Sequence, residues 1–417
     1  MIGAKSNGHP IYCVEVYAVP PAHWTGCGRT HAGEALTYGL GIDVGAAFIK
    51  AAVSRGGPAQ QVILSEHSVL LPSARPVDET VPPHPNSVAV LAPELARSPD
   101  GVKRWIGGPT RPILGSPAHF AATQLIRMLR DIVDGVTTSE GARPHRIVLT
   151  CPTNWGPHRR ERFSRAAHDA GLEQFRVVTE AEAATALYAH RQPLPRGGVI
   201  AVHDLGATTF DVAIVRNGRS ARSDDLDVIG APQSIEGLGG DLFDETLFRY
   251  VDRIIGDGMP AFGIHTALGG QGTPFDDPVQ RIRIDCTNAK EELSHLDETS
   301  IVVKLPDRSA AIRITRIELE TMLRPHLQRT IDALRQCLRA ARVTAAELTG
   351  VVLVGGSSRI PLVVSILTDE LGPGLLQSWN PQHSNALGAA ELAASGLRAV
   401  TPSYGWLARS LRRRAVS

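Results

Sequence analysis

One motif is written twice in this chain, and it limits the fold more than any other feature. A hydrophobic strand ends in Asp-x-Gly and is followed at once by a second hydrophobic strand. The first copy is Leu40-Gly-Ile-Asp-Val-Gly with Phe48-Ile-Lys-Ala-Ala-Val; the second is Gly198-Val-Ile-Ala-Val-His-Asp-Leu-Gly with Thr209-Phe-Asp-Val-Ala-Ile-Val. Each reads as strand, tight turn, strand. Asp43 and Asp204 lie about 160 residues apart, the length of a lobe and far longer than a solenoid repeat. A third junction, Val351-Val-Leu-Val-Gly-Gly-Ser-Ser-Arg-Ile-Pro, takes an apolar strand into two glycines and then a helix. Strands that alternate with helical patterns imply an α/β architecture.

The intervening sequence fills out two lobes. Helical spacing covers 117–136, a short buried strand covers Arg146 to Thr150, and a helix starts near Pro157, where proline suits the first turn. Val177-Val178 is a short strand, and an Ala-rich helix begins at Glu180. In the second half, helices are expected at 241–256 and 278–295, and paired strands at 301–305 and 311–315. Thr315 and Glu318 have capping-box spacing and open a helix to about Ala341, with Pro325 inside it as a kink or broken start. The resulting plan is a poorly ordered extension over 1–38, lobe I over 39–197, lobe II over 198–395 with its last helix returning to lobe I, and a solvated basic tail over 396–417. Residues 72–85 are Pro-rich and read as a loop, and the tail is too short for a further domain.

Lys and Arg total 43 against 42 Asp and Glu, so bulk electrostatics point to neither nucleic acid nor membrane as a partner. No apolar run is long enough to span a membrane, and the N-terminus lacks the order of a signal peptide. The five cysteines are scattered without zinc spacing, which fits a reducing compartment, so a cytoplasmic location is expected. Only five basic residues are lysines: Lys5, Lys50, Lys103, Lys290 and Lys304. An ammonium and a guanidinium are not interchangeable, so each lysine in an Arg-rich chain merits inspection.

The glycine turns suggest the chemistry. Gly45, Gly206 and Gly355-Gly356 each follow a hydrophobic strand. Without a Cβ, glycine lets the backbone approach a phosphate or an adenosine, and free N–H groups at such turns form anion-binding nests. An Asp two residues earlier places a carboxylate where it suits a water on Mg²⁺, which keeps most of its hydration shell. One Asp-x-Gly turn is weak evidence, but two at lobe spacing plus a strand-Gly-Gly-helix favour nucleotide binding. No GxxxxGK[ST], HExxH or GxSxG occurs, and Gly237-Leu-Gly-Gly-Asp-Leu lacks the third glycine of GxGxxG.

From about residue 40 to 395 these motifs, in order, resemble the nucleotide-binding domain of the DnaK-type seventy-kilodalton heat-shock chaperones, within the actin-like ATPase superfamily. The resemblance implies an α/β actin-like ATPase fold, with two ribonuclease-H-like lobes around a nucleotide cleft. Gly41-Ile-Asp-Val-Gly resembles the first phosphate loop, with Gly45, Ala46 and Ala47 at the nucleotide. Asp204-Leu-Gly-Ala-Thr-Thr-Phe-Asp resembles the second, with Gly206, Ala207, Thr208 and Thr209. Thr179-Glu-Ala-Glu-Ala-Ala puts Glu180 in the role of the family's catalytic Glu, and Val102-Lys-Arg-Trp-Ile-Gly makes Lys103 the phosphate-contacting lysine. Leu238-Gly-Gly-Asp-Leu-Phe-Asp brings in Gly239 and Gly240, and Ala289-Lys-Glu-Glu-Leu-Ser brings Lys290 and Ser294 near the ribose and base. Val354-Gly-Gly-Ser-Ser-Arg-Ile-Pro resembles the adenosine motif and contributes Gly355, Gly356, Ser357 and Arg359. Asn380-Pro and Ala386-Leu-Gly-Ala-Ala resemble the closing helix.

By this resemblance the cofactors are ATP or ADP with Mg²⁺, held through water at Asp43 and Asp204, and the catalytic set is Asp43, Lys103, Glu180 and Asp204. The implied activity is slow ATP hydrolysis by a chaperone-family protein acting in protein folding, with a client or co-chaperone as partner. The sequence also departs from the pattern. Ala46 and Ala47 stand for paired threonines, and Gly206-Ala207-Thr208 for three glycines, so hydroxyls are lost and each added Cβ narrows the approach to the γ-phosphate. Thr287 and Gln382 replace acidic residues, and Asn154 stands where the family carries an aromatic, while Arg160 is kept. A non-hydrolysing nucleotide sensor or scaffold is therefore the rival reading, and a sugar kinase or phosphatase on the same fold a weaker one.

Overall fold

The computed structural model describes residues 37–64, 68–72, 103, 117–218, 225–257, 278–304 and 309–395, all within the compact unit Leu36–Ser417. The expectations for the extension before residue 37, for the Pro-rich loop beyond residue 72 and for the tail over 396–417 lie outside the described residues.

The first sheet is built from β1 (Gly39–Val44), β2 (Phe48–Ser54), β3 (Gln60–Gln61), β4 (Leu71–Pro72), β5 (Arg146–Cys151) and β6 (Phe175–Thr179). Its order is β3-β2-β1-β5-β6, and β4 also pairs with β2. The second sheet is built from β7 (Val199–Leu205), β8 (Thr209–Asn217), β9 (Leu226–Glu236), β12 (Leu348–Val354) and β13 (Leu376–Gln377). Its order is β13-β12-β7-β8-β9. Counted outward from β1 and from β7, the two sheets are the same. The hairpin partner is antiparallel, as is the strand beyond it, and the two strands on the other side are parallel. The repeated motif is thus the central hairpin of a duplicated fold. A third pair, β10 (Glu298–Lys304) with β11 (Ser309–Thr315), stands apart as an antiparallel ribbon.

Both central strands are covered on two faces, which is why they read as unbroken apolar runs. Alternate residues of β1 point to opposite sides. Leu40 and Ile42 pack with Leu125 and Leu129 of α1 (Pro117–Glu140) and Phe163 of α2 (Pro157–Asp169). On the other side, β1 packs against α8 (Ser384–Ala394), which also touches β2 and β5. Gly39 and Gly41 make that seat: a Cβ on either would stand 2.5 and 2.3 Å from the backbone of α8. α3 (Glu180–Arg191) contacts β7, β8, β9 and β12 of the second sheet and crosses α8. The two helices therefore lie between the sheets, back to back.

The second core gathers Leu205, Phe210 and Leu353 with Phe243 and Leu247 of α4 (Gly240–Asp257), Cys286 of α5 (Pro278–Glu292) and Leu323 and Leu334 of α6 (Arg316–Ala341). α7 (Pro361–Leu371) closes it with Val363 and Leu367. The Thr315–Glu318 capping box forms as the spacing requires. α6 runs through Pro325 without a break, since Leu319, Leu323 and Leu327 on either side of it are buried in the same core.

Four strands escape the sequence patterns: the two-residue β3, β4 and β13, and the long β9. β9 is the longest strand of its sheet, yet Gly230, Ala231 and Pro232 interrupt it and most of its residues are half-buried or exposed. It is an edge strand with an irregular register against β8, where proline is tolerated because one side of the ladder is unpaired. No described helix is long and apolar enough to cross a membrane.

Candidate nucleotide-binding site

The carboxyl ends of β1, β7 and β12 open on one cleft of about 470 Å³. Both Asp-x-Gly loops line it, with Lys103, Glu180, Lys290, Ser294, Gly355, Gly356, Ser357 and Arg359. Backbone hydrogen bonds close both loops tightly. Gly45 N–H donates to Phe48 O at 3.1 Å and Gly206 N–H to Thr209 O at 3.0 Å, closing each hairpin. A Cβ on Gly45 would lie 2.5 Å from Phe48 O.

Asp43 is buried, and both of its oxygens are engaged. Lys50 Nζ donates to Oδ2 at 2.8 Å, and the Thr150 hydroxyl donates to Oδ1 at 2.6 Å. Lys50 and Thr150 are its register neighbours on β2 and β5. Burial works to raise its pKa, but the charges of Lys50 and Lys103 and these hydrogen bonds outweigh burial and hold the carboxyl below its usual value.

Glu180 is the first residue of α3, behind a Thr179–Glu182 capping box that fixes the helix start. Lys103 Nζ donates to Glu180 Oε1. Burial pushes the Glu180 carboxyl up to about 8, with Lys103 opposing and Asp204, Asp43 and Asp211 adding to the rise. Burial works to lower the Lys103 pKa, but the carboxylates of Glu180 and Asp43 outweigh it, so the ammonium is held charged. Arg160 braces the same region by donating to Trp155 O at 2.8 Å and Thr153 O at 3.4 Å, and Thr153 Oγ1 accepts from Ala181 N–H at 3.3 Å.

On the second loop, Asp204 and Asp211 face each other across the β7–β8 register. Asn385 of α8 donates to Asp204 Oδ2 at 3.2 Å. Burial and the neighbouring Asp211 charge raise the Asp204 carboxyl to about 6, and burial raises Asp211 as well. Asp211 Oδ1 is buried without a hydrogen-bond partner among the described residues. An unpartnered carboxylate oxygen beside a second carboxylate fits a hydrated cation such as Mg²⁺, approached through its waters. Asp43, by contrast, already carries an ammonium.

The third turn depends on its first glycine. Gly355 has φ 85°, and a Cβ there would lie 2.1 Å from Leu205 O, so only glycine lets β12 turn across the end of β7. Its N–H donates to Pro381 O at 2.8 Å, and Ser357 Oγ donates to Gly206 O at 2.9 Å, which ties the turn to the second loop. Gly240 and Asp241 N–H groups at the start of α4 donate to the Gly206 and Ala207 carbonyls at 3.0 and 2.9 Å. Lys290 Nζ reaches Asp244 at 2.8 Å and Gly240 O at 3.4 Å. At the rim, Arg359 Nη2 lies 3.2 Å from His295 Nε2.

Of the residues expected from sequence, Thr208, Gly239 and Gly240 do not line the cleft. Thr208 is buried, and its Cβ therefore does not narrow the opening as Ala207 does. Gly239 supports the second loop from beneath, since a Cβ there would meet Ala207 O at 2.4 Å. Lys50, Asn385 and His295 line the cleft and were not among the expected site residues. The scarcity of lysine flagged Lys50, and three of the five lysines, Lys50, Lys103 and Lys290, prove to face the cleft. Asn385 and His295 carry no local signal; the packing of α8 brings in the first and the turn after α5 the second.

A duplicated α/β fold with two Asp-x-Gly loops and a glycine turn facing one cleft defines the actin-like ATPase class. The family profile described as Hsp70 protein matches residues 114–399, more than half of the chain. The chain belongs to the Hsp70 family, whose members bind ATP or ADP with Mg²⁺. It is 30% identical over 381 residues to the chaperone protein HscA of Photorhabdus laumondii, which covers 84% of this chain and 57% of that protein. It is 31% identical over 307 residues to the chaperone protein DnaK of Deinococcus proteolyticus, covering 71% of this chain and 46% of that one. An HscA homologue of Acidithiobacillus ferrooxidans is 30% identical over 280 residues, or 66% of this chain and 40% of that protein. The chain spans about half the length of the curated relatives it matches.

Proposed function

We propose that the chain binds ATP or ADP in this cleft, hydrolyses ATP slowly, and serves protein folding in the cytoplasm with a client or co-chaperone as partner. The lobes are residues 39–197 and 198–395, with α8 returning to the first. The observation that carries the reading is the convergence of Asp43, Glu180, Asp204 and Lys103 on one cleft between the two glycine loops. The loops Gly45–Ala47 and Gly206–Thr209 would hold the phosphates, and Gly355-Gly356, Ser357, Arg359, Lys290 and Ser294 the adenosine side. Bound Mg²⁺ would neutralise phosphate charge through its water shell, with Asp204 and Asp211 as the carboxylates free to accept from that shell. Lys103 would face charge developing on the γ-phosphoryl group, and backbone N–H groups of the loops would add fixed electrostatic stabilisation. Glu180, ion-paired to Lys103 in the lining of the cleft, would orient the attacking water and take its proton in the transition state.

Calorimetry with Mg-ATP on the chain and on Asp204→Ala tests the binding assignment, and equal affinity of the two proteins sinks it. A second reading, a nucleotide sensor or scaffold that does not hydrolyse, is favoured by the Ala46, Ala47 and Ala207 side chains that line the phosphate end where hydroxyls or bare backbone are expected. Single-turnover hydrolysis that disappears in Glu180→Gln decides for the ATPase.

A further inference from the structure

The two halves of the fold are alike in backbone and opposite in charge at one place. Asp43 on β1 and Asp204 on β7 occupy equivalent positions, and each has a register partner on the following strand. Opposite Asp204 that partner is Asp211, a carboxylate. Opposite Asp43 it is Lys50. The lysine side chain is mostly buried, lines the cleft, and holds Asp43 Oδ2 at 2.8 Å. Its Nζ lies 3.4 Å from the point where a Cβ on Gly45 would stand, so the ammonium rests against the first phosphate loop. The other oxygen of Asp43 is taken by Thr150, so each carboxylate oxygen already holds a donor, one of them an ammonium.

We infer that Lys50 is a resident cation of the phosphate site: it neutralises Asp43, faces the polyphosphate of a bound nucleotide, and makes nucleotide binding far less dependent on Mg²⁺ than paired carboxylates alone would allow. The inference rests on the nucleotide-binding reading above and adds to it a division of labour. One loop carries its own positive charge, and the Asp204–Asp211 side is where a hydrated divalent ion fits. A fixed ammonium in a mostly buried site is screened less by salt than a surface lysine.

The test is calorimetry of ATP and of adenosine binding to the full chain, each with excess Mg²⁺ and with EDTA. For the unaltered chain, chelation is expected to weaken ATP binding by no more than about tenfold. In Lys50→Met, Asp43 faces the phosphates bare, and chelation is expected to weaken ATP binding by about a hundredfold or more. Lys50→Arg returns the smaller factor, and adenosine, which has no phosphate, binds all three proteins alike. Equal chelation factors for the unaltered chain and Lys50→Met overturn the inference and leave the nucleotide reading intact. No ATP binding by the unaltered chain in either condition overturns both. If Lys50→Met does not fold, the pair Asp43→Asn with Lys50→Met removes both charges together. Its ATP affinity in EDTA is expected to be about tenfold weaker than that of the unaltered chain, and equality overturns the inference.

Discussion

Gly388 crosses Ala183 so closely that a Cβ on the glycine would stand 1.8 Å from the Ala183 carbonyl oxygen. Gly388 belongs to α8, seated on the first sheet, and Ala183 to α3, which packs against the second. The two sheets are therefore joined through helix backbones with little side chain between them. Gly388→Ala must push the helices apart or bend one. It is expected to destabilise the nucleotide-free protein by at least about 2 kcal/mol, at the upper end of overpacking costs. Thermal unfolding of Gly388→Ala with an unchanged midpoint would count against this geometry.

His203 is fully buried beside Phe210, its ring centroid 4.6 Å away, and neither ring nitrogen has a hydrogen-bond partner among the described residues. Burial lowers its pKa to about 4 from an ordinary 6.5. The folded state thus refuses a proton that the unfolded chain accepts, and stability falls as pH drops from 6.5 toward 4. The shift corresponds to an order of 3 kcal/mol across that window. His203→Leu removes this slope, so the variant should lose less stability than the parent between pH 7 and pH 4.5 in denaturant titrations. Parallel pH profiles for the two proteins contradict the assignment.

Lys103 and Glu180 should behave as one unit. Removing either partner leaves the other desolvated without its counter-charge, and removing both leaves no such group. Lys103→Met and Glu180→Gln are each expected to destabilise the protein, and the double variant by less than their sum, with a coupling of about 1 kcal/mol or more. Strict additivity in equilibrium unfolding would show that the pair seen here does not persist in solution.

Thr315 caps α6 through its hydroxyl and the reciprocal Glu318 contact. Glu318 is exposed, and its carboxyl is lowered first by the Thr315 side chain and then by its N–H. Thr315→Ala should cost about 1 kcal/mol, because one orphan N–H at the helix start loses its acceptor. Lys50→Met serves as the contrast: it is expected to change ligand binding first, whereas Thr315→Ala, outside the lining of the cleft, should change unfolding more than ATP affinity.

Much of this protein is legible in the chain itself, and the reason is local. The Asp43 and Asp204 hairpins, the strand into Gly355 and the Thr179 and Thr315 helix starts are written in consecutive residues, whose periodicity and turn chemistry act over a few positions. The duplication follows from comparing two such stretches. β9 is not legible in sequence because an edge strand carries weak alternation and tolerates Pro232.

What the tertiary structure alone decided is which charges meet. Nothing near Asp43 in sequence says that Lys50 will take its oxygen while Asp204 faces Asp211; that follows from antiparallel register, which sets residues seven apart opposite each other in both lobes. Asn385 reaches Asp204 only because Gly39, Gly41 and Gly388 let α8 lie flat against β1 and α3. The Asp-x-Gly turns were a phosphate grip from the sequence. Packing gave them opposite electrostatic characters, since Coulomb interactions depend on distance through space and not along the chain.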